Sequence, residues 1–405
     1  MRVGVYTGNY LPEGGGGFTF EESIIHSILH NKSHHQFYIF YHGKDKIKDN
    51  NLSVKYISLY HDHNTMYSAK NIINKINKGI SKIVGTIDTN ENFLNKLISK
   101  NKIDLMWFIT PRYEKINIPF FFTVWDLAHR RYPYFPEVSV TGFTWKQREA
   151  HYSEVLPQAA YILTGTNFGK EEIERYYHIP MERIFVLPLP TPSFINRYKT
   201  SRKEVLEKYR LPKKYLFYPA QFWPHKNHIG LLLSLKILKE KYNSTISIIF
   251  TGSDMGNKKY IQKKTRELGL INQVYFLDFV SREILVELYR NAFAMVYPSF
   301  FGPDNLPPLE AFALGCPVIA AKVPGVTEQL GDAALLINPV DEKEMAKAIK
   351  RLFTYPGLRK ELVKKGRIQA DQWNSDDYLQ YVYKIIDSFD SYRRCWSSED
   401  TYMHS

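Results

Sequence analysis

Short runs rich in apolar, β-branched and aromatic residues alternate with stretches of helical periodicity from one end of the chain to the other. In the first half the pattern predicts strands at Val3–Tyr6, Phe37–Tyr41, Val54–Ser58, Leu105–Ile109, Phe120–Trp125, Tyr161–Thr164 and Ile184–Leu187. In the second half it predicts Tyr215–Tyr218, Ile246–Phe250, Val274–Leu277, Ala294–Val296, Pro317–Ala320 and Ala334–Ile337, with helical patterns such as Leu231-Leu232-Leu235-Leu238 between them. Strand–helix units repeated in this way build parallel sheets covered by helices, so an α/β chain of two doubly wound domains is expected. The 405 residues accommodate two domains of ordinary size.

Leu187-Pro188-Leu189-Pro190-Thr191-Pro192, with the polar run to about Arg202, suits a linker, because three prolines discourage both helix and central strand. The expected division is 1–200 and 201–376. A last helical pattern, Asp377 to Tyr392, makes 377–405 a candidate to cross back onto the first domain.

Open α/β sheets bind ligands at the carboxyl ends of their strands, so the loops there carry the candidate chemistry. The first is Thr7-Gly8-Asn9-Tyr10-Leu11-Pro12-Glu13-Gly14-Gly15-Gly16-Gly17, ahead of a helix expected near Thr19. Its glycines, Gly15 and Gly16 among them, let backbone N–H groups approach a phosphate from the mouth of a helix, or form a flexible turn. The spacing is not the dinucleotide fingerprint, which argues against a dehydrogenase. In the second, Gln221-Phe222-Trp223-Pro224-His225-Lys226-Asn227-His228, a lysine at a strand end can reach a leaving phosphate as a compact charge. In the third, Gly302-Pro303-Asp304-Asn305-Leu306-Pro307-Pro308-Leu309-Glu310, Asp304 or Asn305 reads as a helix N-cap. Any anion there would use the amides of Asn305, Leu306 or Leu309, since proline donates none. Glu310, one turn in, can accept from a vicinal diol such as a ribose, or serve the helix end alone.

The formal charge of +13 raises the question of a polyanionic partner, but the excess is spread over the chain. Residues 1–200 hold 24 Lys+Arg against 18 Asp+Glu, and 201–405 hold 30 against 23. A nucleic-acid binder, the reading from another class, would concentrate its basic residues. One window does so: Lys70 to Lys102 has seven lysines against Asp88 and Glu91, with Ile72, Ile73, Ile76, Ile80, Ile83 and Val84 at helical spacing. It reads as a sheet-packing helix with a wet basic face, or as a surface for an anionic membrane. No run reaches the ~18 apolar residues of a spanning helix, and no signal-peptide core is present. A cytoplasmic protein, peripheral at the inner membrane face at most, is expected. Two cysteines, Cys316 and Cys395, suit a reducing compartment and exclude a disulfide framework or a zinc–cysteine cluster.

Taken together, the second and third loops resemble the nucleotide-sugar-binding domain of retaining GT-B glycosyltransferases of family 4, and the likeness spans most of the chain, strongest from Tyr215 to Pro339. It implies two Rossmann-like domains facing a central cleft. The family's arginine/lysine pair looks like Gln221 and Lys226, and its Glu-x7-Glu element falls on Gly302 and Glu310. The arginine and the first glutamate are therefore replaced, with Asp304 as the neighbour able to stand in for the latter. The resemblance implies diphosphate contact for Lys226 and ribose contact for Glu310, and a nucleobase-reading edge at Leu277-Asp278-Phe279-Val280. For Glu328 a structural hydrogen bond and a donor contact stand even. Thr123-Val124-Trp125-Asp126-Leu127-Ala128-His129 resembles the family's His-Asp loop, with Trp125 in the histidine's place and Asp126 and His129 expected to face the cleft. Trp107, Tyr132, Tyr134 and Phe135 are either core residues or sugar platforms.

The resemblance further implies transfer with retention, in which the leaving diphosphate takes the acceptor's proton. Donor-binding residues are expected at Gly15, Gly16, Gln221, Lys226, Phe279, Val280, Asp304, Asn305, Leu306 and Glu310, and catalytic ones at Lys226, Asp126 and His129. No Asp-x-Asp pair suggests a metal, so neither metal nor cofactor is expected beyond the nucleotide sugar, GDP- or UDP-linked and mannose-like. The partner is a glycan or lipid-linked acceptor. A nucleotide-sugar epimerase or hydrolase on the same fold is the enzymatic alternative.

Overall fold

A computed structural model describes residues 1–43, 54–60, 93–140, 142–198, 207 and 209–396. The basic window falls largely outside these residues, and only its end, in the helix Phe93–Asn101, is described.

The first sheet holds seven parallel strands in the order β3-β2-β1-β4-β5-β6-β7. They are β1 (Arg2–Tyr6), β2 (Gln36–Tyr41), β3 (Val54–Ser58), β4 (Leu105–Phe108), β5 (Phe120–Val124), β6 (Tyr161–Thr164) and β7 (Ile184–Val186). The second holds six in the order β10-β9-β8-β11-β12-β13. They are β8 (Tyr215–Pro219), β9 (Ser247–Thr251), β10 (Val274–Leu277), β11 (Ala294–Tyr297), β12 (Val318–Ala321) and β13 (Ala334–Ile337). Each of the thirteen coincides, within a residue or so, with an apolar run in the sequence. The reason is burial on both faces: β4, β5, β9, β11 and β12 are buried at every position, as parallel strands between helices must be.

Strand order reverses between β1 and β4 in the first sheet and between β8 and β11 in the second. At such a switch point the two following loops diverge to opposite faces and leave a crevice between them. The loops concerned are those after β1 and β4, with the glycines and Arg112, and those after β8 and β11, with Lys226 and Asn305.

Two chain crossings join the halves side by side. Thr191 pairs with Asn374 in a parallel bridge, its N–H donates to the Trp373 carbonyl at 3.1 Å, and the Trp373 indole donates to the Pro188 carbonyl at 2.8 Å. The chain then enters the long helix Ser375–Arg393, started by an Asn374–Asp377 capping box. Tyr378, Leu379, Val382, Ile386 and Phe389 of this helix share one buried cluster with Phe20, Ile24, Trp107 and Phe121 of the first half. The last helix thus completes the core under the first sheet.

Candidate active site

The four loops line a cavity of about 1060 Å³ between the two sheets. Lys226 closes a short turn, Pro224–Lys226, held on both sides: Tyr218 donates to its carbonyl at 2.6 Å, and Asn227, in the left-handed region at φ 55°, caps the next helix by accepting from Gly230 N–H. Its Nζ donates to the Tyr297 hydroxyl at 3.0 Å, which donates to Asn305 Oδ1 at 2.9 Å. Tyr297 ends β11, so the lysine loop and the helix-mouth loop are wired together at the switch point. Neither histidine beside Lys226 adds charge: burial and the Lys226 ammonium push His225 down to about 4 and His228 down to about 3.

Glu310 is buried in the first turns of the helix Leu306–Ala313, one oxygen accepting from Tyr289 at 2.8 Å. Burial raises its carboxyl to about 7, against the pull of Tyr289 and Arg282. The other oxygen remains for a ligand. Asn305 is the N-cap, but its N–H already donates to Gln329 Oε1 at 2.9 Å, which leaves the Leu306 amide at this mouth. Gly302 sits at φ 109°, and a Cβ there would meet the Asn305 amide at 2.7 Å, so the departure at this position is built into the loop. Phe279 and Val280 line the cavity, and Phe279 is exposed.

From the first half, Gly15 takes φ 73° as N-cap of the helix Gly16–His30 and brings the loop to the far wall. The Glu13 carbonyl there accepts from Gln221 Nε2 at 3.1 Å and from Ser253 Oγ at 3.0 Å. Gln221 fastens the glycine loop across the cavity. Glu21, which no local pattern singles out, anchors the same loop by accepting the Gly8 N–H, and burial raises its carboxyl to about 7. Arg112, over the Tyr10 ring, and Arg148, over Phe143, are further cavity cations absent from the sequence reading.

Two expectations are corrected. Asp126 lines the cavity, its Oδ1 accepting from Ala128 N–H at 2.9 Å, but His129 does not face it. The short helix Ala128–Arg131 turns His129 inward, where it is fully buried beside Glu149 and Tyr177 and stacked on Tyr152. Asp304 does not stand in for the missing glutamate: its carboxyl is pressed against Gly165, at the end of β6, with Oδ2 sealed from solvent, and burial raises it to about 7.

Asp304 belongs to a seam of contacts between the halves. Glu328 accepts from the N–H groups of Asn167 (2.7 Å) and Phe168 (3.1 Å), so a carboxylate of the second domain caps the helix Asn167–Tyr177 of the first. This settles Glu328 as a structural partner. Glu137 accepts from the His225 N–H (2.8 Å) and contacts its Nδ1 (2.6 Å); burial opposes its charge, but the His225 bonds outweigh that and hold the carboxyl below its usual range. Tyr132 stacks on Phe301 and Phe135 packs on Phe300, whereas Trp107 is core and Tyr134 is exposed. These aromatics join the domains.

Residues 201–369 match the family described as glycosyl transferases group 1. The O-antigen chain mannosyltransferase B of Escherichia coli is 31% identical over 247 residues, covering 59% of this chain and 64% of that protein. The O-antigen chain mannosyltransferase RfbU of Salmonella typhimurium is 31% identical over 201 residues, covering 50% and 53%. The chain thus spans less than two thirds of these curated relatives. HepE of Anabaena, solved with UDP and glucose, superposes with a TM-score of 0.68 at 15% identity over 96% of this chain and all of that one. Two parallel-sheet domains about one cleft, shared over whole chains, are the GT-B fold. Among the described residues no helix is long and apolar enough to cross a membrane.

Proposed function

We propose that this GT-B chain, whose second domain is of the glycosyl transferases group 1 family, moves a sugar from a nucleotide diphosphate donor to a hydroxyl of a glycan or lipid-linked glycan acceptor, with retention. The observation that carries this reading is the convergence of Lys226, the Leu306 helix mouth and Glu310 at the second switch point, facing the glycine loop. Lys226 and the Leu306 amide lie where a diphosphate would sit, and the free Glu310 oxygen where a ribose diol would. Mannose is the sugar suggested by the names of the two curated relatives, and the nucleotide proposed is UDP, as bound by HepE, or GDP.

In the proposed step the bond from the anomeric carbon to the diphosphate oxygen breaks while the acceptor oxygen bonds to that carbon on the same face. The hydroxyl proton passes to the departing phosphate oxygen. The chain supplies position and charge: the ammonium and amides stabilise the growing phosphate charge without reorganising. The test is a melting screen with UDP, GDP, ADP and TDP and their sugars, since a ligand at 100 times its Kd adds about 2.7 kcal/mol. One base should raise the melting temperature as diphosphate and as sugar donor; a flat response to all of them refutes the reading.

Metal independence is part of the same proposal, because Lys226 and backbone amides occupy the role a divalent ion would take at the diphosphate. Turnover is expected to persist in excess EDTA. Full loss on chelation, restored by manganese, would count decisively against it.

A further inference from the structure

Away from the cleft, the turn entering β2 meets the last helix through three side chains. His34 Nε2 and His35 Nε2 both lie 2.9 Å from the same oxygen of Asp387, and the ligand atoms of all three residues fall within 4.8 Å of one another. We propose that His34, His35 and Asp387 form a binding site for a borderline divalent cation of the zinc type, which pins the last helix to the first domain.

The donor set is the first argument. Two imidazole nitrogens and one carboxylate oxygen suit zinc and its neighbours, and are too nitrogen-rich for magnesium or calcium. Spacing is the second. Bonds of about 2.0–2.2 Å in a tetrahedral site put ligand atoms about 3.3–3.5 Å apart, so the two observed 2.9 Å separations need only a small retreat of the carboxylate.

The third argument is access. The His35 side chain is 1% exposed and fixed, whereas those of His34 and Asp387 are 71% and 48% exposed and open to an entering ion. Lys32 and Lys384 rim the adjoining hollow, so an anion rather than water suits the fourth position.

Such an ion would act on the fold and not on sugar transfer. Asp387 lies between Ile386 and Phe389, which bury into the first domain's core, so the site staples the crossing-back helix where it already packs. The test is a calorimetric titration of EDTA-stripped full-length protein with zinc sulfate alone, accompanied by melting curves. One ion per chain should bind at micromolar Kd and raise the melting temperature by several degrees, while magnesium chloride does neither. His34→Ala and Asp387→Asn, both at exposed side chains, should weaken binding at least tenfold and erase the shift while the metal-free melt stays near that of the parent. His26 and His30, stacked one turn apart on the first helix, are a competing pair, so His30→Ala should leave binding intact. No saturable uptake, uptake that survives both substitutions, or uptake lost in His30→Ala would overturn the proposal.

Discussion

Replacing Lys226 by alanine is expected to lower turnover by about 10²–10³, the scale of removing one transition-state donor. Charge on the leaving diphosphate grows as the bond to the sugar breaks, so a fixed ammonium stabilises the transition state more than the bound donor. Turnover should therefore fall further than donor affinity. Lys226 is fixed through its carbonyl by Tyr218 and through Nζ by Tyr297, and the nearby Gln221 is a neutral side chain engaged with the glycine loop. Arg282 also borders the cavity, but it is paired with Glu22. Lys226→Arg should recover part of the activity and Lys226→Gln little. Steady-state kinetics on the three variants, beside a direct donor titration, decide the matter. An alanine variant with near-normal turnover, or one that loses affinity alone, would remove Lys226 from the leaving-group role.

Gly165→Ala should have the next largest effect, although it touches no substrate. A Cβ at Gly165 would overlap Asp304 Oδ2 and stand 2.5 Å from its Cγ. Asp304 is a short, buried side chain on the seam, so the methyl group is expected to push the domains apart there. The Glu328 cap on Asn167 and Phe168, next along the chain from Gly165, would separate with it. Misplacing reacting groups by about 1 Å costs on the order of 10² in rate, and a loss of about that size is expected while both domains stay folded. Removing the obstacle from the other side supplies the control: Gly165→Ala combined with Asp304→Ala should run well above Gly165→Ala alone. A single variant that works normally, or a pair that shows no rescue, would mean the seam does not govern closure.

Fold and candidate site differ in how far they could be read from the residues. Strands such as Phe120–Val124 and Ser247–Thr251 are buried along their whole length, and a continuous apolar run is a local signal. The loops with Lys226 and Asn305 were legible because they follow strands, and parallel sheets put their chemistry there. Tyr297, the last residue of β11, opens the third of these loops and carries the same strand-end signal, but nothing local announces its bond to Lys226. Side-chain direction was harder: Asp126 and His129 stand three residues apart at one strand end, yet a single short turn sends one to the cavity and the other into the core. The seam was out of reach. Glu137 meets His225 88 positions along the chain, and Glu328 meets Asn167 across 161, with no periodicity or spacing to announce either pairing.

The last helix places a condition on synthesis. Tyr378, Leu379, Val382, Ile386 and Phe389 fill one face of the first sheet, so the half that leaves the ribosome first cannot close its core until the entire second domain has been made. At about 5–20 residues per second, that delay is on the order of ten to forty seconds. Throughout it Phe20, Ile24, Trp107 and Phe121 lack their cover, and a nascent chain halted before Ser375 would present them as a sticky apolar face to chaperones or to its neighbours on the same message.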